Sequence, residues 1–350
     1  MAIVRTTWRV TVRGMNALPL AVSLCLAAAP RDGQRDFDFQ LGHWKVAIKR
    51  LKNPLTHEAP QWEELSGESA VHTVWGGNAQ LEELVVRGRS RPVDGVALRL
   101  YLPDTGQWSV HWASARAGRL DPAAVGEFHD GRGELYALDH LGPRAVLVRQ
   151  VWTATQTQAP HFEQAFSADG GKTWEVNWVA DQTRLPDAPA DTPAAADASH
   201  DFDFEWGHWS MRVRRLEHPL DGSKRWYEFP ADSHTVGLLG GLANLEQVHG
   251  EMPQGPLDGL TLRLYSPATK QWALYWANRK TGRLEQPMLG GFKDGRGEFY
   301  DQEDLGGRAI YVRYVWSNTH GNQPHFEQAF SDDGGKTWEA NWVTDQQRAE

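Results

Sequence analysis

Cysteine is almost absent from this chain of 350 residues, since the one cysteine, Cys25, lies close to the N-terminus. If the segment holding Cys25 is removed, the mature protein has no thiol, which excludes thiol catalysis, cysteine-ligated metal and disulfides. Clusters of basic residues are absent as well, and the formal net charge is -9. Nucleic acid is therefore not an expected partner, because binding to phosphates needs a basic face.

Common catalytic motifs are also absent. The chain has no Gly-x-Ser-x-Gly elbow, no His-Glu-x-x-His and no Gly-x-Gly-x-x-Gly that opens a helix. The letters "GGKT" at 170–173 resemble the end of a phosphate-binding loop, but Phe166 stands where that loop needs its first glycine. Histidines and carboxylates form no closely spaced set in both halves of the chain. The sequence therefore assigns no catalytic residue, no metal site and no cofactor.

The N-terminus has the pattern of a secretory signal. Three arginines precede an apolar run: Arg5, Arg9 and Arg13 come before Ala17–Ala29. We expect residues 1–29 to be a signal peptide cut after Ala27, and the mature protein to be periplasmic or secreted. The run is short for a membrane span, so no integral membrane segment is expected in the mature chain. A lipid anchor on Cys25 is the less favoured alternative, because Leu24 rather than a small residue precedes it.

The rest of the chain is a duplication. The segment "HFEQAFSADGGKTWEVNW" at 161–178 returns at 325–342 as "HFEQAFSDDGGKTWEANW". "DFDFQLGHW" and "DGRGELY" also have second copies, so the repeat covers whole domains. We place the first domain at 36–184, a Pro, Ala and Asp linker at 185–200 and the second domain at 201–348.

Within each copy, apolar residues recur with a period of two. "KVAIKRL" and "QWSVHWAS" alternate in this way and are separated from later runs by short loops rich in Gly, Asp and Pro. Eight or so short strands in each copy indicate an all-β fold, either an up-and-down antiparallel barrel or a sandwich. A barrel is favoured because closure removes exposed strand edges.

A glycine and a tryptophan begin each copy and an arginine ends it. The two sets are Gly42, Trp44 and Arg184, and Gly207, Trp209 and Arg348. This arrangement resembles lipocalin-like (calycin) barrels, in which the arginine stacks on the tryptophan. Beyond these residues, the sequence of both copies is similar to an uncharacterised bacterial lipocalin-like family, a domain of unknown function. Here that domain occurs twice in tandem. The resemblance implies two lipocalin-like β-barrels and no function.

The stretch "SADGGKTW" looks like the Asp-box of sialidase propellers. In that motif the carboxylate caps the amides of a turn, and the glycines permit positive φ. One copy per domain is too few for a propeller. We interpret the stretch as a stiff hairpin between the last two strands.

Tryptophan is unusually common, with 17 residues, of which fourteen form seven matched pairs between the copies. Core packing is one interpretation, since each indole buries a large area. The other is the wall of a cavity for an apolar ligand. Trp112 and Trp276 are the tryptophans that we assign to this candidate cavity.

Polar residues inside predicted strands give the remaining site candidates. The ligand-binding candidates are Arg149, His161, Glu163 and Asn177, with Arg313, His325, Glu327 and Asn341 in the second copy. Folding two strands as a hairpin would put Arg149 roughly opposite Glu163. This pair is either an ion pair on the outer surface or part of a buried cluster that orients a ligand. In a buried cluster, His161 and Glu163 would be candidate general bases.

Three functions are compatible with this sequence, and we favour the first over the other two. The first is a periplasmic or secreted pair of barrels that bind a small hydrophobic or aromatic molecule without catalysis. The second is an isomerase, lyase or hydrolase acting on an apolar substrate inside the barrel. The third is a tandem carbohydrate-binding module, in which linkage raises avidity. The sequence names neither the ligand nor an oligomeric state.

Overall fold

The computed structural model describes residues 33–87, 93–186, 195, 197 and 199–349. The expected signal peptide at 1–29, with Cys25 and the cut after Ala27, lies outside the described residues, as does most of the linker at 185–200. Within the described ranges, no helix has the length and apolar character needed to cross a membrane.

The first copy forms a closed antiparallel barrel of ten strands in which each strand pairs with its neighbours in sequence and β10 pairs with β1. The strands are β1 (Gly42–Leu51), β2 (Trp62–Val74), β3 (Ala79–Arg87), β4 (Gly95–Leu102), β5 (Gln107–Ser114), β6 (Ala124–His129), β7 (Arg132–Leu141), β8 (Arg144–Thr153), β9 (His161–Ser167) and β10 (Glu175–Arg184). The predicted all-β, up-and-down fold is confirmed. Two more strands form than the eight or so expected, because segments such as β2 place small residues, Gly67 and Ser69, on the inner face and so show weak alternation.

The second copy closes in the same way. Its strands are β11 (Gly207–Leu216), β12 (Trp226–Leu238), β13 (Ala243–Met252), β14 (Gly255–Ser266), β15 (Gln271–Asn278), β16 (Arg283–Leu284), β17 (Met288–Lys293), β18 (Arg296–Asp304), β19 (Ala309–Ser317), β20 (His325–Ser331) and β21 (Glu339–Arg348). Pairing of β11 with β21 and of β14 with β15 completes a ring of ten, and the two-residue β16 pairs only with β15.

Aromatic side chains close one end of each barrel, which we call the plugged end. A 3-10 turn at Asp38–Gln40 precedes β1 and brings Phe37 against the edges of Trp108 and Trp152, with ring centroids 5.2 and 5.1 Å apart. Phe202 makes the matching contacts with Trp272 and Trp316. At the same end the guanidinium of Arg184 lies 4.2 Å from the centre of the Trp44 ring, and that of Arg348 lies 4.3 Å from Trp209.

The outer faces of the two barrels share one apolar core. Outward side chains of β4, among them Leu98, pack in a single cluster with Leu260 and Leu262 of β14. Hydrogen bonds at its margin are reciprocal, since the amide of Trp75 donates to Gln247 and the amide of Leu239 donates to Glu83, at 3.4 and 3.1 Å. Trp75 and Leu239, like Glu83 and Gln247, are equivalent positions 164 residues apart. The contact is therefore built like that of a two-fold symmetric dimer.

Candidate functional site

The structure divides the predicted ligand-binding residues between the two faces of the wall. On β9, Phe162 packs into the interior clusters, so its neighbours His161 and Glu163 lie on the outer face. The Nδ1 atom of His161 is 2.7 Å from the exposed Asp181 carboxylate, and its Nε2 atom is 3.3 Å from Glu163. Partial burial alone would lower the pKa of His161, but its bonds to Asp181 and Glu163 outweigh that effect and raise it. In the second barrel, His325 repeats the contact with Asp345 at 2.7 Å.

Arg149 also lies on the outer face, and its strand register differs from the one expected. It pairs with Ala165, whereas Glu163 pairs with Val151, so Arg149 and Glu163 are diagonal rather than opposite. Its guanidinium stacks on Trp174 at 4.8 Å from the ring centre. A difference of two positions arises because the length and path of the β8–β9 loop fix the register, and neither can be read from alternation.

Arg313 combines both contacts in the second barrel. Its guanidinium lies 4.6 Å from the ring centre of Trp338. Its Nη2 atom is 3.7 Å from a carboxylate oxygen of Glu327. In the second barrel, the arginine and the carboxylate are thus within ion-pair distance on the outer face.

The other candidates face the interior, which we call the lumen. A bulge between Val176 and Trp178 places Asn177 where its side-chain oxygen accepts a hydrogen bond from Gln164 at 3.0 Å. Asn341 and Gln328 repeat this bond at 2.7 Å. These two asparagines are buried.

Trp112 and Trp276 lie at the end of each lumen away from the aromatic plug, which we call the open end. Trp112 packs against the interior cluster of Trp44 yet remains half-buried, so solvent reaches this end of the barrel. Gly95 lies beneath it, where a Cβ atom would come within 2.3 Å of the indole. Gly259 gives Trp276 the same room, with a distance of 1.9 Å. Glycine is needed at both positions because the wall approaches the ring so closely.

Between the two ends lies a layer of buried polar side chains that sequence reasoning missed. Arg99 on β4 is 3% exposed, donates from Nη2 to Glu82 on β3, and lies 5.2 Å from the ring centre of Phe37. Its Nε and Nη1 atoms are buried without a hydrogen-bond partner. Both amide atoms of Gln80 and the hydroxyl of Ser69 are likewise unpartnered. The occurrence of an arginine at the same position in both copies, Arg99 and Arg263, was a sequence signal for this layer. The carboxylate partner on the neighbouring strand can be identified only from the strand register.

Unpartnered atoms occur on the facing wall as well. In a ring of ten strands, β3 and β4 stand opposite β8 and β9. The side-chain oxygen of Gln150 on β8, on this facing wall, is buried without a partner, as is the side-chain nitrogen of Asn177 on β10, two strands further round the ring. The first lumen thus has a polar middle layer with free donors and acceptors on both sides, between an aromatic plug and an aromatic mouth.

The second barrel satisfies its arginine more fully. Arg263 donates from Nη1 to Asn244 at 3.0 Å and from Nη2 to Glu246, and only its Nε atom is left without a partner. Thr261 adds a further bond to Glu246 at 3.1 Å. Fewer guanidinium donors are therefore free here than at Arg99.

Acidic residues near the open end of the second lumen repel one another. Glu303 shares a face of β18 with the buried Phe299. Burial, and then the negative charges of Glu285 and Asp301, raise the pKa of Glu303 to about 7. Among the described residues, no group of three or more His, Cys, Asp or Glu side chains is arranged to hold a metal ion.

The Asp-box-like stretch at 167–174, which the second copy repeats, is a capped turn between β9 and β10. Asp169 accepts hydrogen bonds from the amides of Lys172 and Thr173 at 3.0 Å and from the Thr173 hydroxyl at 2.6 Å. Bonding to Thr173 and to Ser167 holds the pKa of this carboxyl well below its usual range. Trp174 follows and stacks under Arg149. The motif stiffens the hairpin on the outer face and contributes nothing to the lumen.

Comparisons with known protein families recognise the second copy of this motif. The family model of the BNR/Asp-box repeat matches residues 329–340. The whole chain is similar to a protein of unknown function from the DUF3598 family of Nostoc punctiforme, at 10% identity and a TM-score of 0.26, with 91% of this chain and 100% of that one covered. It is also similar to a double mutant of the vaccine antigen transferrin binding protein B from Haemophilus parasuis, at 7% identity and a TM-score of 0.17, with 88% and 76% covered. No curated protein matches the chain, and none of these similarities defines its family.

Proposed function

We propose that this protein binds a small hydrophobic or aromatic molecule with one polar group inside its barrels, without catalysis. The observation that carries the proposal is the unpartnered polar layer around Arg99. Leaving a buried polar group unpaired costs about 1–3 kcal/mol, and more when the group is charged. A ligand oxygen that accepts from Arg99 and Gln80 would remove that cost.

The layers on either side suit the rest of such a ligand. Trp112 and the half-buried Trp178 offer indole surface at the open end, and aromatic side chains of this kind give large apolar contacts. Pockets for small molecules combine mostly apolar walls with a few convergent polar groups. An elongated molecule that enters at Trp112 would therefore reach Arg99 with its polar end.

The placement of the histidine favours binding over catalysis. His161 and Glu163, the candidate general bases of the enzymatic alternative, point away from the lumen. A general base must come within hydrogen-bond reach of the proton that it removes. A substrate held at Arg99 would have the barrel wall between itself and these side chains.

The proposed location is the periplasm or the medium outside the cell. It rests on the basic and apolar pattern at 1–29. A carrier of apolar molecules would be useful there, because such molecules are poorly soluble in water.

Native mass spectrometry of the mature protein, followed by denaturing extraction, tests the proposal. We expect a bound apolar molecule at one or two per chain. Calorimetric titration with 1-naphthaleneacetate then tests the polar layer. The double variant Arg99→Met, Glu82→Leu removes both members of the buried pair, so no charge is left unpaired.

We expect this variant to bind one equivalent fewer than the wild type, while Arg149→Met on the outer face of the same barrel binds as the wild type does. An apo mass, together with tryptophan fluorescence that does not respond to a panel of lipophilic ligands, would contradict the proposal. Loss of binding in Arg149→Met alone would move the site to the outer face.

A further inference from the structure

Two glutamines form a closed pair at the plugged end of the first barrel. Gln40, in the 3-10 turn, donates from Nε2 to Oε1 of Gln182 at 2.8 Å. Gln182 on β10 donates back to Oε1 of Gln40 at 3.3 Å. Each amide thus supplies one donor and one acceptor, and the buried pair is satisfied by its own two hydrogen bonds.

The second barrel changes one member of this pair to an acid. Glu205 occupies the position of Gln40 and is fully buried, and Gln346 occupies that of Gln182. Gln346 still donates to Oε1 of Glu205, at 3.4 Å, and Trp316 donates to the same oxygen at 2.8 Å. The return bond is lost, because Oε2 of Glu205 and Oε1 of Gln346 are both buried without a partner. Two acceptors cannot bond each other, and a single proton on Oε2 would restore the closed pair.

The surrounding charges also favour that proton. Glu246 on β13 and Arg263 on β14 are the charged groups that act on Glu205, and Trp316 on β19 and Gln346 on β21 donate to it. Burial, followed by the negative charge of Glu246, raises the pKa of Glu205 to about 7, although Arg263 and the two hydrogen bonds oppose the change. Glu246 already uses Arg263 as its partner, so Glu205 has no counter-ion of its own.

We propose that Glu205 is a buried proton-binding site, in which a neutral acid and an amide replace the amide pair of the first barrel. Loss of the proton leaves an uncompensated charge beside the polar layer of the second lumen. The second barrel, rather than the first, is then the source of a loss of stability as the pH rises from about 4.5 to about 7. The proposal concerns the folded chain itself and does not depend on ligand binding.

The sign of the pH effect follows from the two states. The pKa of this carboxyl is near 4.5 in the unfolded chain and about 7 in the folded chain. The folded state binds the extra proton between these values, so stability is full below the lower value and is lost as the pH rises through the upper one. Over this window the unfolding equilibrium constant should rise by up to about tenfold per pH unit on account of Glu205.

Equilibrium denaturant unfolding of the full chain across this window, comparing wild type with Glu205→Gln, tests the proposal. The variant rebuilds the amide pair, so we expect it to fold and to lose the pH dependence due to Glu205. Glu303→Gln is the matched control, because Glu303 titrates in the same range but lies away from the pair. Glu303→Gln should still show the pH dependence of unfolding that is due to Glu205, so its profile should differ from that of Glu205→Gln. The reverse change, Gln40→Glu, should bring the same pH dependence to the first barrel.

Infrared difference spectra supply a direct readout. Wild type should show the carbonyl stretch of buried protonated carboxyls that disappears as the pH passes about 7. Glu205→Gln should lose the part of this band that is due to Glu205, and Glu303→Gln should keep that part. Parallel unfolding profiles of wild type and Glu205→Gln would overturn the proposal. Absence of the protonated band in wild type at pH 5 would overturn it as well.

Discussion

At the scale of single residues, burial of His111 is the clearest determinant of behaviour in acid. His111 lies on the outer face of β5, next to the apolar core shared by the barrels, and contacts the Ser109 hydroxyl at 3.1 Å. Burial lowers its pKa from 6.5 to about 4. The neutral form is therefore the one that the folded chain accommodates.

We predict that stability falls as the pH is lowered from about 6.5 to about 4, because the unfolded chain takes up a proton that folded His111 refuses. The loss should reach roughly 3 kcal/mol, at about 1.4 kcal/mol per pKa unit. Denaturant unfolding at several pH values measures it. His111→Gln should remove this part of the slope, and His129→Gln, at an exposed position, should not. Equal slopes in all three proteins would contradict the prediction.

Single residues also show where sequence reasoning ends. The period-two pattern of β9 places His161 and Glu163 on one face of the strand and Phe162 on the other, but it does not say which face lines the lumen. Phe162 decides the question by packing on Trp152 at 4.7 Å, a contact between strands. The contacts of Arg99 with Glu82 and of Glu205 with Gln346 likewise depend on strand register. Neither contact could be derived from the amino-acid sequence alone.

At the scale of elements, the turns between strands fix how the two copies meet. Gly282, between β15 and β16, has φ +64 and lies against the backbone of Tyr101, where a Cβ atom would come within 1.8 Å of the carbonyl oxygen. Gly118 makes the equivalent approach to Ser266. These turns touch the other barrel through glycine because no side chain fits.

We predict that Gly282→Ala destabilises the protein by about 2 kcal/mol more than Gly306→Ala. Both glycines have nearly the same positive φ, +64 and +63, so the backbone cost of roughly 1 kcal/mol is shared. Only Gly282 adds a clash, which typically costs 1–3 kcal/mol, since nothing lies within 4 Å of a Cβ atom at Gly306. Unfolding midpoints in denaturant give the comparison. Similar losses in both variants would show that the contact with Tyr101 yields easily.

The sequence of β4 contains an indication that the outer face of the first barrel contacts a partner. All eight residues of "GVALRLYL" are buried, although a barrel strand needs only one buried face. Val96, Leu98 and Leu100 form an apolar outer face, which is typical of strands covered on both sides. Alternation alone identified the strand, and the apolar character of its second face was the remaining clue to a partner.

At the scale of the whole molecule, the shared core joins the two barrels into one body. Twenty buried residues of the described chain, from both copies, form this shared core. Because neither outer face is satisfied by its own barrel, the stability of each copy depends on the other. We expect the two to unfold together.

We predict one calorimetric transition for the wild type and two for Leu98→Asp. Leu98 is fully buried, so the aspartate would place an unpaired charge in the shared core and separate the barrels without entering either lumen. Leu138→Asp is the control, because Leu138 is 61% exposed on the outer face of β7. It should leave a single transition. A single transition in Leu98→Asp would mean that the barrels remain coupled by other contacts.

The covalent link between the copies has a consequence for how this protein can evolve. In a dimer of identical chains, every substitution appears on both sides of the axis at once, so the halves cannot take different roles. Here the reciprocal bonds already differ, because Trp75 meets Gln247 while Leu239 meets Glu83. Fusion allows one half to keep an amide at Gln40 while the other carries an acid at Glu205. A symmetric architecture thus becomes a scaffold for two chambers with independent chemistry.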